Sequence, residues 1–118
     1  MVEIYGSSRY RLDRKALTQY AVNLMMESGF SGQNLSIALV GRRKMRSIMD
    51  KYHPDPDTRP VLSFPYLLDK SGPDENIFGE IVICYPLAVL LAAEKNKKVQ
   101  SIFEFLVNHG VTTISNAK

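Results

Sequence analysis

The spacing of hydrophobic residues changes several times along the chain, and each change marks an expected element. Large apolar side chains alternate with other residues in Val2–Tyr5 and again over residues 35–40, a pattern that predicts two strands. They recur every three to four residues over 13–28 and in Arg42–Tyr52, which predicts two amphipathic helices. Gly29 directly follows the first of these and is expected to end it.

A second group of elements follows a loop that is rich in proline. Residues 53–60 contain three prolines, which exclude a helix interior or a central strand there. A strand is expected over residues 61–66, with Pro65 ending its pairing or lying at an edge. The strongest strand covers residues 77–84, after a polar turn over 69–76. We expect these two strands to pair antiparallel across that turn.

Two helices complete the predicted order. Pro86 suits a first helical position, and the helix expected over 87–94 is apolar on nearly every side. That character predicts the most buried, central helix. The last helix is expected over residues 99–108. His109 would then favour its negative pole and Gly110 would supply a left-handed cap.

The order β-α-β-α-β-β-α-α predicts an α+β fold, a mixed four-stranded sheet with helices packed mainly on it. The first two strands are joined by a helix and should therefore be parallel. The chain has 118 residues, of which 45% are hydrophobic. A chain of this size buries roughly two-thirds of its unfolded surface, enough for one core. We therefore expect residues 1–118 to form a single domain.

Composition excludes several classes of protein. The single cysteine, Cys84, cannot form an internal disulfide or supply a zinc finger, and it suits a reducing cytosol. The N-terminal residues have neither a basic stretch nor a long apolar one, so we expect no signal peptide. The longest apolar stretch, residues 86–93, is far shorter than the roughly 20 residues of a membrane span. We expect a cytoplasmic protein without a membrane partner.

The basic residues are clustered, which says more than their number. The net charge is +3 and the isoelectric point is near 9.1, which permits an anionic partner without requiring one. The clusters lie near the first helix, in the second helix and near the last helix: Arg9, Arg11, Arg14 and Lys15; Arg42, Arg43, Lys44, Arg46 and Lys51; Lys95, Lys97 and Lys98. They are either solvated helix faces or sites for phosphate groups.

Candidate chemistry centres on two histidines and one loop. A helical zinc site needs histidines four residues apart, and four residues after His109 the chain has Thr113. The only other histidine is His53. A metal could take both histidines with a carboxylate. The carboxylates considered are Asp55, Asp57 and Glu80. The alternative is that His109 is only a helix end.

Arg59 is the most promising residue of the loop over 53–60. A guanidinium can hold a phosphate group by two hydrogen bonds. The alternative is that the loop is only a stiff connector with turns stabilised by its aspartates. Glu80 could act in acid–base chemistry if it lay half-buried beside a cleft, or it could simply pair with an arginine. Cys84 is expected to be a small buried side chain.

The order of four motifs resembles the YbeY family, bacterial endoribonucleases that cut single-stranded RNA in ribosomal RNA maturation and ribosome quality control. The motifs, which lie between about residue 34 and Val111, are MRSIMDKY at 45–52, VLSFP at 61–65, FGEIVIC at 78–84 and FLVNHG at 105–110. The resemblance implies the α+β fold, RNA in a groove between the His109 helix and the strand from Val61, and zinc as the cofactor.

The family pattern is not matched at every position. It places three zinc histidines in H-G-x-x-H-x-x-x-x-x-H, of which His109 and Gly110 match the first two residues. Thr113 stands at the second histidine, and the third would fall at position 119, past Lys118. Three explanations stay open: a divergent member that lost the metal and kept RNA binding, a tail altered by a frameshift or shortening, or a metal completed between subunits.

Two further departures concern the loop. Arg59 and Pro60 stand where the family has Thr-Asp, and His53 stands where it has arginine. We expect Arg59 and His53 to be catalytic, and the resemblance implies that His109 is the remaining metal ligand. RNA contacts are expected from four residues: Arg42, Arg43, Arg46 and Ser63. The two hypotheses are a metal-dependent ribonuclease, and a non-catalytic module that binds ribosomal RNA or a ribosomal protein.

Overall fold

The computed structural model describes residues 1–68 and 76–118. Its elements are β1 Val2–Tyr5, α1 Arg14–Glu27, β2 Asn34–Val40, α2 Arg42–Tyr52, β3 Val61–Phe64, β4 Ile77–Cys84, α3 Tyr85–Glu94 and α4 Val99–Asn116. The predicted order β-α-β-α-β-β-α-α and the α+β class are confirmed. The polar turn expected over residues 69–76 lies, apart from Asn76, outside the described residues.

The four strands form one mixed sheet in the order β1-β2-β4-β3. β1 pairs parallel with β2, β2 pairs parallel with β4, and β3 pairs antiparallel with β4. The predicted directions of the first and last pairs are therefore confirmed. In the register, Ile37 lies beside Ile4 and Ile81, and Ser63 lies opposite Ile81. β1 and β3 are consequently the two opposite edges of the sheet.

Helices cover both faces of the sheet. The larger core lies between the sheet and the helices α1, α3 and α4, and β2 contributes the alternating side chains of Leu35, Ile37 and Leu39 to it. The smaller core lies between the sheet and α2. Its buried members are Met45, Ile48, Met49, Leu62, Phe64, Val82 and Cys84. Successive residues of β3 therefore point to opposite faces, as strand geometry requires.

The ends of α1 follow the signals in the sequence. The Asp13 carboxylate accepts a hydrogen bond of 2.9 Å from the Ala16 N–H, which satisfies one free donor of the first turn. Gly29 has a φ of +85°, and the N–H of Phe30 donates to the Met25 carbonyl at 2.9 Å. Gly29 therefore follows this helix in the left-handed conformation that was expected of it.

The prediction that the helix after Pro86 is the most buried is wrong. In α3 only Ala88 and Ala92 are buried, whereas Val89 and Leu90 are 36% and 46% exposed. The central helix is α4, which has seven buried residues and packs on α1, α3, β3 and β4. The sequence of α3 is apolar all round and has no distinct face, so its burial depends on its position in the fold.

No helix of the described ranges, α4 included, is long and apolar enough to cross a membrane.

The last helix does not end at His109 and Gly110, and the interpretation of Gly110 as a left-handed cap is wrong. α4 continues to Asn116, and Gly110 is buried inside it. A Cβ atom at Gly110 would come within 2.6 Å of Ile81 Cδ1 and 3.0 Å of Ser63 Oγ. The glycine is needed because α4 lies directly against β3 and β4. Its role is close packing rather than helix termination.

Candidate functional site

A cleft of about 310 Å³ lies between β3 and α4, at the position that the family resemblance implies for the RNA groove. Its sides are β3 with the two residues after it, the face of α4 that carries His109, and the end of α2 with the loop that follows. We call it the β3–α4 cleft. Both histidines of the chain, His53 and His109, line it together with Arg59 and Ser63. Folding thus brings together four of the predicted site residues from distant parts of the chain.

The α4 side of the cleft carries His109 and Thr113. Residues four apart lie on the same face of a helix, so both exposed side chains face the same way. The Thr113 hydroxyl donates a hydrogen bond of 2.8 Å to the His109 carbonyl oxygen. Threonine commonly makes this bond to the preceding turn of a helix. Thr113 is therefore tied to the backbone at the position where the family pattern has its second histidine.

Met49 holds both ends of the loop over residues 53–60. The His53 N–H donates to the Met49 carbonyl at 2.8 Å, and the Arg59 N–H donates to the Met49 sulfur at 3.3 Å. Met49 itself is fully buried in the core under α2. The start and the end of the loop are thereby anchored to one fully buried residue. This explains how a loop can present His53 and Arg59 to the same cleft.

The Arg59 guanidinium forms an ion pair with Asp55 at 3.5 Å. Asp55 also accepts a hydrogen bond of 3.0 Å from the Asp57 N–H. That backbone hydrogen bond, followed by the positive charge of Arg59, lowers the pKa of the Asp55 carboxyl below its ordinary value. Arg59 remains about half exposed, so its charge is available to a ligand that can compete with Asp55.

The three arginines of α2 lie outside the cleft, as far as its described lining goes. Arg42 and Arg43 are exposed in the first turn of the helix. Arg46 is half-buried and binds both Asp50, at 3.0 Å, and the Thr58 hydroxyl, at 3.4 Å. The guanidinium of Arg46 therefore ties α2 to the loop. Arg42 and Arg43 are exposed to solvent, so an anionic partner that extends beyond the cleft could reach them.

Two other candidate residues also lie outside the described lining of the cleft. Glu80 is half-buried on β4 and accepts a hydrogen bond of 3.2 Å from the Ser36 hydroxyl of β2. Cys84 is fully buried, as expected, and burial raises the pKa of its thiol. A buried thiol of this kind stays protonated and does not act as a nucleophile or metal ligand.

The donor set of the cleft does not fit a three-ligand zinc site. A zinc site with protein ligands needs at least three groups such as His, Cys, Asp or Glu around one point. Nowhere in residues 1–68 and 76–118 do three such side chains come together. His53 and His109 supply two imidazoles to the cleft, and Asp55 is engaged by Arg59 and Asp57. The zinc implied by the resemblance therefore lacks a complete set of ligands here.

Sequence reasoning missed the aromatic side chains of the cleft. Tyr52, Phe64 and Tyr66 all line it, and the two tyrosines are exposed. The sequence pattern predicts only that Tyr52 ends a helix and that Tyr66 ends a strand. Pro65 offered a signal, because a strand that ends there frees the next residue from the alternation that would bury it.

The fold and the sequence have known relatives. The family described as "Endoribonuclease YbeY" matches residues 6–114. A protein named "Endoribonuclease YbeY" from Methylococcus capsulatus is 31% identical over 75 residues, and one of the same name from Dehalococcoides mccartyi is 31% identical over 101 residues. These alignments cover 64% and 75% of this chain, which spans 49% and 58% of the length of the two relatives.

The solution structure of the protein TM1509 from Thermotoga maritima has a similar fold. Its TM-score with this chain is 0.66 at 19% sequence identity, and the match covers 98% of this chain and 72% of the other. A likeness at this identity supports the fold alone, whereas the family match extends over nearly the whole sequence. The chain belongs to the YbeY endoribonuclease family.

Proposed function

We propose that this protein acts on ribosomal RNA in its maturation and quality control, by binding single-stranded segments in the β3–α4 cleft. The observation that carries the proposal is the meeting of His53, Arg59 and His109 in that cleft. None of its described lining residues is a carboxylate, which suits a ligand with negatively charged phosphate groups. The family name of the relatives points to RNA as the substrate, and we propose the cytoplasm as the location.

Arg59 is the residue that we propose for the central phosphate contact. Its guanidinium can form two parallel hydrogen bonds with one phosphate group. The imidazoles of His53 and His109 and the hydroxyl of Ser63 can donate hydrogen bonds to other oxygens of the strand. A positive charge beside several hydrogen-bond donors suits the phosphate groups of RNA, so we propose ribosomal RNA rather than a ribosomal protein as the partner.

Arg42 and Arg43 are proposed to act outside the cleft. They lie at the start of α2, whereas Tyr52 at its end borders the cleft. A helix of this length places the two ends roughly 15 Å apart. The two arginines would then attract a strand that extends beyond the cleft. For Arg46 we propose a supporting contact, because its guanidinium already binds Asp50 and Thr58.

Cleavage of the bound RNA is the second candidate function, and the family match over residues 6–114 favours it. In that case Arg59 and His53 would contact the phosphodiester that is cut. The described residues do not provide three ligands for zinc, so we propose no zinc-dependent step for them. Binding is the function that the residues in the cleft support by themselves.

The proposal is tested by fluorescence anisotropy with a short labelled segment of ribosomal RNA, offered as a single strand and as a duplex. The single strand should bind more tightly. Arg59→Ala should weaken its binding about tenfold or more, because a charge-assisted contact is lost. Arg9→Ala, which removes an exposed arginine between β1 and α1, is the matched control.

A salt titration adds a second readout. Each lost phosphate contact lowers the slope of log affinity against log salt by about 0.7 for a single strand. Arg59→Ala should therefore flatten the slope, and Arg9→Ala should change it less. Equal affinity of the Arg59→Ala variant and the unmodified protein, or equal binding of duplex and single strand, would overturn the proposal.

A further inference from the structure

Three aromatic rings stand side by side at one wall of the β3–α4 cleft. The centroid of the Phe64 ring lies 5.6 Å from that of Tyr52, at an interplanar angle of 68°, and 5.7 Å from that of Tyr66, at 50°. Tyr52 ends α2, whereas Tyr66 follows β3 after Pro65. One ring on β3 thus contacts two rings that come from different parts of the chain, and this fixes their relative positions.

The two outer rings are exposed although the middle one is buried. Tyr52 is 37% and Tyr66 is 47% exposed, while Phe64 is 7% exposed and belongs to the core under α2. Exposed aromatic faces on a rigid support are suited to bind another flat ring.

We propose that Tyr52 and Tyr66 stack unpaired bases of the RNA strand whose phosphate group Arg59 binds. The inference rests on the proposed RNA binding and adds the means by which the protein distinguishes a single strand from a duplex. Every base has a π-face, so stacking on an aromatic side chain is largely independent of sequence. The bases of a duplex are already stacked on one another, and only loops, bulges and single strands offer free faces.

The charges beside the rings suit a nucleic acid strand. Lys51 Nζ lies over the Tyr52 ring, 5.1 Å from its centroid, and Arg59 lines the same cleft as both tyrosines. A phosphate group next to a stacked base would therefore meet a cation. Alternating π-faces and cations are the usual arrangement in grooves that bind single strands. An apolar peptide would not account for these cations.

The test uses single-stranded RNA that carries 2-aminopurine, a base whose fluorescence falls when it stacks. Binding of the unmodified protein should quench the fluorescence. Tyr66→Ala should abolish much of the quenching and weaken binding roughly 5- to 150-fold, the range measured for loss of a stacked base. Tyr66→Phe should bind like the unmodified protein, because it keeps the ring. The salt dependence should not change, since no phosphate contact is lost.

Tyr5→Ala is the matched control. Tyr5 is 52% exposed on β1, at the edge of the sheet opposite β3. Its removal should leave both quenching and affinity unchanged. A further comparison uses RNA that lacks one base at the reporter position: this RNA should bind less tightly to the unmodified protein, and Tyr66→Ala should not weaken it further.

Three results would overturn the inference. Unchanged affinity and quenching in Tyr66→Ala would exclude stacking on Tyr66 and so overturn the proposed pair, while a loss of affinity in Arg59→Ala would leave the proposed RNA binding intact. Affinity and quenching equal to those of the unmodified protein in Tyr66→Leu would mean that an apolar side chain suffices and that the ring is not needed. Absence of RNA binding by the unmodified protein would overturn the stacking and the proposed function together.

Discussion

The Thr113 hydroxyl donates a hydrogen bond of 2.8 Å to the carbonyl oxygen of His109, one turn earlier in α4. Two residues at this spacing share a helix face, which is the arrangement that a pair of zinc-binding histidines needs. In this chain the second position carries a hydroxyl that is engaged with the backbone. His109 therefore faces the β3–α4 cleft without an imidazole at the position one turn later.

Thr113→His should create a zinc site. The new imidazole would join His109 on one face of α4 and His53 across the cleft. Loss of a residue that only hydrogen-bonds to a metal ligand typically lowers metal affinity roughly 10- to 100-fold. A new ligand that contacts the metal directly should therefore raise the affinity for zinc by at least that factor. The measurement is competition with a chromophoric chelator.

Ser101→His is the control for this change, since it places a histidine on the exposed face of α4 two turns before His109. Its zinc affinity should equal that of the unmodified protein. Equal gains in both variants would mean that the position in the cleft does not matter. One tightly held zinc per unmodified chain would contradict the view that its ligand set is incomplete.

Asp55→Asn should strengthen RNA binding. The substitution removes the charge that pairs with Arg59 at 3.5 Å, and the Asn oxygen can still accept the hydrogen bond from the Asp57 N–H. Surface ion pairs are worth up to about 1 kcal/mol, which corresponds to at most about a fivefold gain in affinity. Asp57→Asn is the control, and an equal gain there would show that only the net charge matters.

The titration of Asp55 tests the same pair independently. The Asp57 N–H and then Arg59 lower its pKa from the ordinary value of 3.8, so Asp55 stays ionised to a lower pH than a free aspartate. The stability that it contributes is therefore present above the ordinary value and is lost as the pH falls through the lowered one. In Arg59→Ala the pKa should rise only part of the way. An NMR titration of Arg59→Ala in which the pKa of the Asp55 carboxyl returned fully to its ordinary value would contradict this expectation.

Gly110→Ala should destabilise the fold. The new Cβ would lie 2.6 Å from Ile81 Cδ1 and 2.8 Å from Ile81 Cγ1. Overpacking of a core costs about 1–3 kcal/mol, more than or comparable to the roughly 1 kcal/mol that alanine gains over glycine in a helix. Urea unfolding measures the difference. Thr112→Ala, at an exposed position of α4, should change stability little.

Ile81→Val shows whether the clash is the cause. It removes the Cδ1 atom and costs about 0.5–1.5 kcal/mol by itself. Combined with Gly110→Ala, it should give a smaller loss than the sum of the two single changes, because valine lacks the Cδ1 atom that makes the closer of the two contacts. Strict additivity would instead mean that Gly110 is required for another reason.

Much of the fold could be predicted because each element has a local signal. The alternation of Leu35, Ile37 and Leu39 correctly predicted one buried face of β2. The signal was ambiguous at Gly110, since glycine is favoured both after a helix and inside one where a strand approaches closely. Only the distant contact with Ile81 distinguishes these cases, and no pattern near Gly110 reveals it.

Some residues of the site could be predicted from the sequence, whereas several of its contacts could not. The composition of the loop and the family resemblance led to His53, Arg59 and His109, and the structure places all three in one cleft. The partners of Arg46 and the exposure of Tyr66 depend on how the loop folds back on α2 and on where β3 ends. Such contacts arise from tertiary structure and leave no periodic trace in the sequence.

The most direct test of the account is the binding of single-stranded ribosomal RNA after removal of metal by a chelator, compared between the unmodified protein and Arg59→Ala. The account predicts that chelation leaves the affinity of the unmodified protein unchanged and that Arg59→Ala weakens it about tenfold or more. Loss of RNA binding or of RNA cleavage on chelation, together with one zinc ion per chain, would contradict it.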